Sequence, residues 1–272
     1  MEYPVWIAII QGIVEGLTEF LPVSSTGHLI LVGHLLGFEG DKAETFEIVI
    51  QLGAILAIVV LYWRKLLSMT GWRGEEELKR RRSLTLAHMV IAVTPAFVCG
   101  FLLHGIIRDY LFTPTTVLIG LVIGSIFMIW AEKRQTFVRA REVEDITYKQ
   151  AFQIGLFQCL SLWPGFSRAG ATIAGGLLAG ASLRAAADFS FLIAVPVIFV
   201  AGGYDLYKSW HLFGVEDLPF MLTGFIVSFV VAMLAVVSFL KLLQKLKLSA
   251  FAYYRFVLAA LFWIYMSTVG LG

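Results

Sequence analysis

Six stretches of this chain run for about twenty residues with few charges, at about 46–63, 86–104, 114–131, 186–204, 219–240 and 251–268. Each matches the length an α-helix needs to cross the hydrocarbon core of a bilayer, roughly 20 residues. In lipid every backbone N–H and C=O must be paired within the protein, so only helices and closed barrels span. Barrel strands would read as alternating segments of about ten residues, and that pattern is absent. The chain is 59% hydrophobic and 15% charged, against about 25% charged in a soluble domain. It is predicted to be an all-α polytopic membrane protein, one integral domain over 1–272.

Two further apolar stretches, about 4–36 and 151–181, are interrupted by "FLPVSSTGH" and "WPGFSRAGAT". Each break holds a proline, small residues and polar side chains. A straight span through either break would leave backbone groups unpaired in lipid. Non-helical backbone at that depth survives only inside protein or along a wet cavity. Both breaks therefore read as re-entrant helix–loop–helix hairpins, beside six transmembrane helices.

Basic residues set the orientation. Residues 64–85 carry seven Lys and Arg, 133–149 carry five, 241–249 carry three, and Arg184 adds one; the opposite loops carry only Lys42, Arg108 and Lys208. The positive-inside rule places the rich set in the cytoplasm and both termini outside. The run "EEELKRRR" reads as a solvated cytoplasmic loop near anionic headgroups. The first twenty residues lack a basic n-region and do not read as a cleaved signal peptide. Cys99 and Cys159 both lie in apolar segments, which argues against a disulfide framework.

The two breaks also resemble each other. "QGIVEGLTEFLPVSSTG" at 11–27 aligns with "QIGLFQCLSLWPGFSRAG" at 153–170, pairing Gln11 with Gln153, Pro22 with Pro164 and Ser25 with Ser167; Phe46 and Phe189 pair further on. Repeat halves of about 1–132 and 150–272 each hold one hairpin and three spans. Three is odd, so the second half is inverted, the plan in which broken helices meet near the bilayer midplane.

Glu15 and Glu19 lie four apart and share one helix face. Two carboxylates there repel, so one is protonated or a cation sits between them. Pro22 ends the helix, a turn of hydroxyls and small residues follows, and His28 comes three residues after Ser25. In the second break Arg168 is the only charge, flanked by Ser167 and Thr172, with Gly165 and Gly170 permitting close backbone approach. That set suits a phosphate cradle. Together the breaks suit phosphoryl transfer on a lipid-tailed substrate: a cation and Arg168 hold the charge while a hydroxyl or water attacks. Arg168 also admits a plainer reading, as a bundle ion pair with Glu15.

"VEGLTEFLPVSSTGH" and "WPGFSRAGAT" are similar to the motifs of the undecaprenyl-pyrophosphate phosphatases of the bacitracin-resistance type, and the resemblance covers essentially the whole chain. It implies a bundle of six spans and two re-entrant hairpins in the bacterial cytoplasmic membrane. It implies removal of one phosphate from the long isoprenyl pyrophosphate on the outer side, which recycles the cell-wall carrier lipid. It points to Glu15 and Glu19 for a divalent cation (Mg2+ or Ca2+) and pyrophosphate handling, Ser25 as nucleophile, His28 as proton-transfer partner and Arg168 as phosphate clamp. Ser167, Thr172, Ser24 and Thr26 are the implied phosphate-binding hydroxyls. It further implies that bacitracin competes for the lipid substrate rather than binding the protein, with no nucleic-acid partner and a homodimer left open. The family usually reads "PGFSRSG", and Ala169 here removes one hydroxyl from that motif.

Alternatives remain at this level. A metal-bound water can attack in place of Ser25, and His28 can be a helix-start histidine bonded to a backbone carbonyl. Ser24 is the weaker nucleophile, lacking a partner in the repeat. Glu47 and Gln51 lean into the site or lie at the interface, and Asp188 pairs with Arg184. A lipid transporter or flippase would share the inverted repeat, yet has no need of a nucleophile–acid–Arg set.

Overall fold

The computed structural model describes residues 3–72, 83–111 and 113–269. The run at 75–82 lies outside the described residues. In chain order the helices are α1 (Val5–Thr18), α2 (Ser25–Leu36), α3 (Asp41–Leu61), α4 (Trp63–Met69), α5 (Leu86–Ile106), α6 (Pro114–Arg134), α7 (Tyr148–Gln158), α8 (Arg168–Leu178), α9 (Leu183–Ser209), α10 (Leu218–Leu242) and α11 (Leu248–Val269). No strand occurs among the described residues. Six of the helices, α3, α5, α6, α9, α10 and α11, are long and apolar enough to cross a membrane. Their outward faces carry Val90, Phe101, Leu102, Ile126, Leu234 and Ile264 exposed, a surface that belongs in lipid rather than water. Exposed Trp63, Trp72, Tyr207 and Trp210 stand near span ends, where amphipathic rings favour the headgroup level.

The four helices of the broken segments are much shorter. α1 and α2 have 14 and 12 residues, α7 and α8 have 11 each. At about 1.5 Å per residue none reaches the roughly 30 Å of a bilayer core. Pro22 and Pro164 each fall in the connecting turn, as the sequence predicts.

The two halves match residue by residue at a spacing of 143. α1 and α7 begin at Val5 and Tyr148, and α2 and α8 begin at Ser25 and Arg168. Ser24 (φ 71°) and Ser167 (φ 75°) are the non-glycine residues with positive φ among those described, and Gly37 and Gly180 also match in positive φ. This corrects the sequence alignment at the turn, which used 142. The Gln11–Gln153 and Pro22–Pro164 identities are one residue out of structural register. Ser24, not Ser25, is the counterpart of Ser167, and the counterpart of Ser25 is Arg168. Gly165, the counterpart of Pro22 at this spacing, has φ 88°, where a side chain would strain the backbone.

Packing crosses between halves. α1 lies on α10 while its counterpart α7 lies on α5; α3 pairs with its counterpart α9, and α6 with its counterpart α11. The α1–α10 contact is a glycine seam. A Cβ at Gly12 would stand 2.8 Å from the Gly224 carbonyl oxygen, and one at Gly16 would stand 2.7 Å from that of Ser228. Small residues spaced by four let membrane helices approach this closely. Main-chain and side-chain ties hold the ends. Lys65 pairs with Glu144 at 2.7 Å, Arg184 with Asp188 at 2.9 Å, and Lys42 with Asp217 at 2.9 Å. Asp188 also accepts from the Tyr62 hydroxyl at 2.5 Å. The first tie joins two segments assigned from charge to the cytoplasmic side, and the second lies within the first turns of α9. The third joins segments assigned to the other side.

Candidate active site

Glu19 is where the two hairpins meet. It ends α1 as the C-cap residue and is only 7% exposed. Its Oε2 accepts from the Ser25 hydroxyl at 2.6 Å, and its Oε1 accepts from Arg168 Nη2 at 2.7 Å. One carboxylate therefore binds the first residue of α2 and the first residue of α8. Charge-assisted bonds of this length are roughly twice as strong as neutral ones. The ion pair weighed from sequence is present, with Glu19 as the partner of Arg168 in place of Glu15.

Arg168 is fixed from three further sides. Nη1 donates to the Ser190 carbonyl at 3.3 Å, and the guanidinium lies 5.8 Å from the centroid of the Phe20 ring. Thr172 donates to the Arg168 carbonyl at 2.9 Å, and the Ser190 hydroxyl sits 2.7 Å from Thr172 Oγ1. Thr172 and Ser190 are both fully buried. The structure thus uses the Thr172 hydroxyl to brace Arg168 from behind. Ser190 was not singled out in the sequence, where it reads as one more small residue in an apolar span.

Ser24 and Ser167 serve as helix caps. The Gly27 N–H donates to Ser24 Oγ at 3.4 Å, and the Gly170 N–H donates to Ser167 Oγ at 3.1 Å. Both helices then present uncapped N–H groups and the positive end of the backbone dipole where Ser25 and Arg168 stand, a setting that favours an anion. Thr26 is half-buried in the first turn of α2, and Ala169 is buried beside Arg168.

Both ring nitrogens of His28 are engaged by groups other than Ser25. Its Nδ1 lies 2.8 Å from the Ser24 carbonyl oxygen and its Nε2 lies 2.7 Å from the Tyr254 hydroxyl. A carbonyl only accepts, so in the neutral ring Nδ1 carries the proton and Nε2 accepts from Tyr254. The two rings stack at 5.7 Å with planes 6° apart. The backbone-bonded reading of His28 is the geometry observed, with Tyr254 as a partner no sequence pattern announced.

Glu15 lies one turn before Glu19 and is fully buried. Neither of its carboxylate oxygens has a hydrogen-bond partner among the described residues, and the same holds for the amide of Gln11 a further turn back. The charged groups whose fields reach Glu15 are Glu19, Glu47 and Arg168. A buried carboxylate without a partner is costly, and either protonation or a cation relieves that cost. Among the described residues no group of three or more His, Cys, Asp and Glu stands in metal-ligating positions. The donor set fits an ion held by one or two carboxylates and completed by phosphate oxygens and water, the mode Mg2+ prefers.

This arrangement covers the parts that both motifs supply, and known proteins share the whole chain around it. The family described as bacitracin resistance protein BacA matches residues 8–261. The chain belongs to the BacA family. It is 57% identical over 260 residues to the undecaprenyl-diphosphatase 1 of Bacillus thuringiensis (strain Al Hakam), covering 96% of this chain and 97% of that one. It is 57% identical over 259 residues to the undecaprenyl-diphosphatase 1 of Bacillus anthracis, covering 95% and 97%. Membership in the BacA family and the two hairpin motifs agree on the same region of the chain. Arg255, like Ser190 and Tyr254, is not among the residues the sequence singles out. Its signal was a lone arginine in the middle of an apolar span, which is functional by default.

Proposed function

We propose that this chain is an undecaprenyl-diphosphatase, removing the terminal phosphate of a polyprenyl pyrophosphate to leave the monophosphate. The carrying observation is the Glu19 carboxylate, bonded at once to a hydroxyl from one hairpin and a guanidinium from the other. A flippase has no use for a hydroxyl aimed at a buried base.

In this reading the pyrophosphate enters between the N-termini of α2 and α8. Arg168 holds the non-bridging oxygens of the terminal phosphoryl group. Ser25 Oγ attacks the terminal phosphorus as its proton passes to Glu19 Oε2, already 2.6 Å away. The bond from phosphorus to the bridging oxygen breaks, and the polyprenyl monophosphate leaves with that oxygen. Water then attacks the phosphoserine phosphorus while the proton held by Glu19 returns to Ser25 Oγ; the Oγ–phosphorus bond breaks, phosphate leaves with the water's oxygen and protons, and Glu19 is again a carboxylate. Arg168 and the two helix ends oppose the negative charge on the equatorial oxygens throughout, and such fixed electrostatics are the main source of rate in phosphoryl transfer. The short Ser25–Glu19 bond favours serine attack over direct attack by water. Glu15 and Glu19 would hold a divalent cation, which when bound supplies charge neutralisation and orients the pyrophosphate.

The charge asymmetry of the loops supports a chain lying in the bacterial cytoplasmic membrane with the site open to the outer side. Three candidate spans separate the two hairpins, so each hairpin enters from its own side and the halves are inverted. Competition by bacitracin for the lipid pyrophosphate would account for the family's description. The purified protein in detergent is expected to release phosphate from polyprenyl pyrophosphate. Movement of the lipid across vesicles with no phosphate release would instead establish the transporter reading.

A further inference from the structure

Among the described residues Arg255 is the largest fully buried side chain, at 0% exposure. None of the ion pairs among the described residues includes it. Its Nη2 donates to the carbonyls of Gly165 at 2.9 Å, Leu121 at 3.0 Å and Gly120 at 3.4 Å; its Nη1 lies 3.3 Å from Met128 Sδ. Nε has no partner. A buried cation without a carboxylate is expensive, and a similar-sized apolar side chain in its place is often neutral or stabilising. Packing alone therefore does not account for an arginine here.

Its position does. Gly165 has positive φ in the second hairpin turn, and Arg255 ties its carbonyl to α6. A Cβ at Gly170, in the first turn of α8, would lie 3.1 Å from Arg255 Nη1. A cation beside a helix N-terminus is unfavourable, and an anion arriving at that terminus relieves the repulsion. The preceding residue, Tyr254, bonds and stacks with His28 of the first hairpin. Two consecutive residues of α11 thus grip both hairpins, one each.

We propose that Tyr254 and Arg255 form a clasp on α11 that positions the two hairpins against each other. Arg255 is a positioning residue for the Gly165–Gly170 turn that presents Ser167 and Arg168, and its unpaired charge strengthens the site's pull on a pyrophosphate. Tyr254 sets the α2 turn through His28 and the Ser24 carbonyl. The inference rests on the phosphatase reading for its kinetic part and is independent of it for its structural part.

The test uses the full chain in detergent, with Arg255→Met, Arg255→Lys and Tyr254→Phe, and Tyr253→Phe as a lipid-facing control. Turnover of polyprenyl pyrophosphate, the thermal midpoint and amide hydrogen exchange of residues 165–170 are measured for each. Displacement of the turn by about 1 Å is enough to cost ~100-fold in rate. Arg255→Met is expected to lose about that factor in kcat/KM, to expose the 165–170 amides to faster exchange, and to keep its thermal midpoint. Arg255→Lys, keeping the charge, is expected to recover part of the loss. Tyr254→Phe is expected to lower kcat/KM on the order of tenfold, in line with a lost hydrogen bond to a positioned ring. The control is expected to match the wild type. Arg255→Met with wild-type kinetics and wild-type protection would overturn the clasp. If Arg255→Met fails to fold, an Arg255→Lys variant that is folded and fully active with normal exchange would overturn it equally. Loss of all wild-type turnover with exchange still dependent on Arg255 would sink the phosphatase reading and leave the clasp standing.

Discussion

Replacing Glu19 with glutamine keeps the side chain's shape and removes what the two hairpins share. The carboxylate accepts twice, from Ser25 at 2.6 Å and from Arg168 at 2.7 Å. An amide has one acceptor and one donor end. If its NH2 faced Arg168, two donors would oppose each other in a buried site. The favoured orientation keeps oxygen toward Arg168 and turns NH2 toward Ser25 Oγ, which then accepts. Arg168 stays bonded, but to a neutral partner, so the stability loss is modest at about 1–2 kcal/mol. The Ser25 proton, however, no longer points at a base. Loss of a positioned general base costs about 10²–10⁴-fold, so Glu19→Gln should fold, bind lipid pyrophosphate and turn it over about a thousandfold more slowly. The assay is phosphate release by the purified variant, read beside its thermal midpoint. A folded Glu19→Gln enzyme within tenfold of wild-type kcat would refute the Ser25–Glu19 relay.

Other perturbations separate the remaining roles. Ser25→Ala should remain folded and lose turnover on the order of 10³-fold or more, whereas Ser24→Ala, losing a helix cap, should lower the thermal stability by about 1–2 kcal/mol, both read on the same preparations. Chelation by EDTA should abolish phosphate release, Mg2+ or Ca2+ should restore it, and Glu15→Gln should raise the cation concentration needed for half-maximal rate. Gly16→Leu should force α1 away from α10, because even a Cβ there meets the Ser228 carbonyl at 2.7 Å, and should destabilise by about 3 kcal/mol or more in a detergent melt.

Much of the architecture was legible before any coordinates. The six spans follow from apolar runs of bilayer length, and the structure lengthens each by a few residues, which in α6 include the charged Lys133 and Arg134. The short α4, directly after α3, went unread because seven residues hold too little periodicity to register. The repeat was visible, but its register slipped by one at the turn. Identical residues drew the alignment, while backbone conformation is what repeats: left-handed serines 143 apart, each capping the helix that follows.

The candidate site divides in the same way. Glu15, Glu19, Ser25 and Arg168 stand out in sequence because polar groups in an apolar stretch carry a cost that local structure cannot offset. Which of them meet was decided only by tertiary structure. Arg168 could have paired with Glu15 or Glu19, and the crossing of the two hairpins selects Glu19 while leaving Glu15 buried and unpartnered. His28 keeps a helix-start geometry, and Tyr254, 226 residues away, completes its bonding. Ser190 and Arg255 act through contacts with chain segments 22 and 90 residues distant. Composition and periodicity determine that this chain crosses a membrane and breaks twice, because burial of backbone and apolar surface is a local requirement. Pairing of charges and placement of hydroxyls depend on how separate elements pack, and no local pattern encodes that.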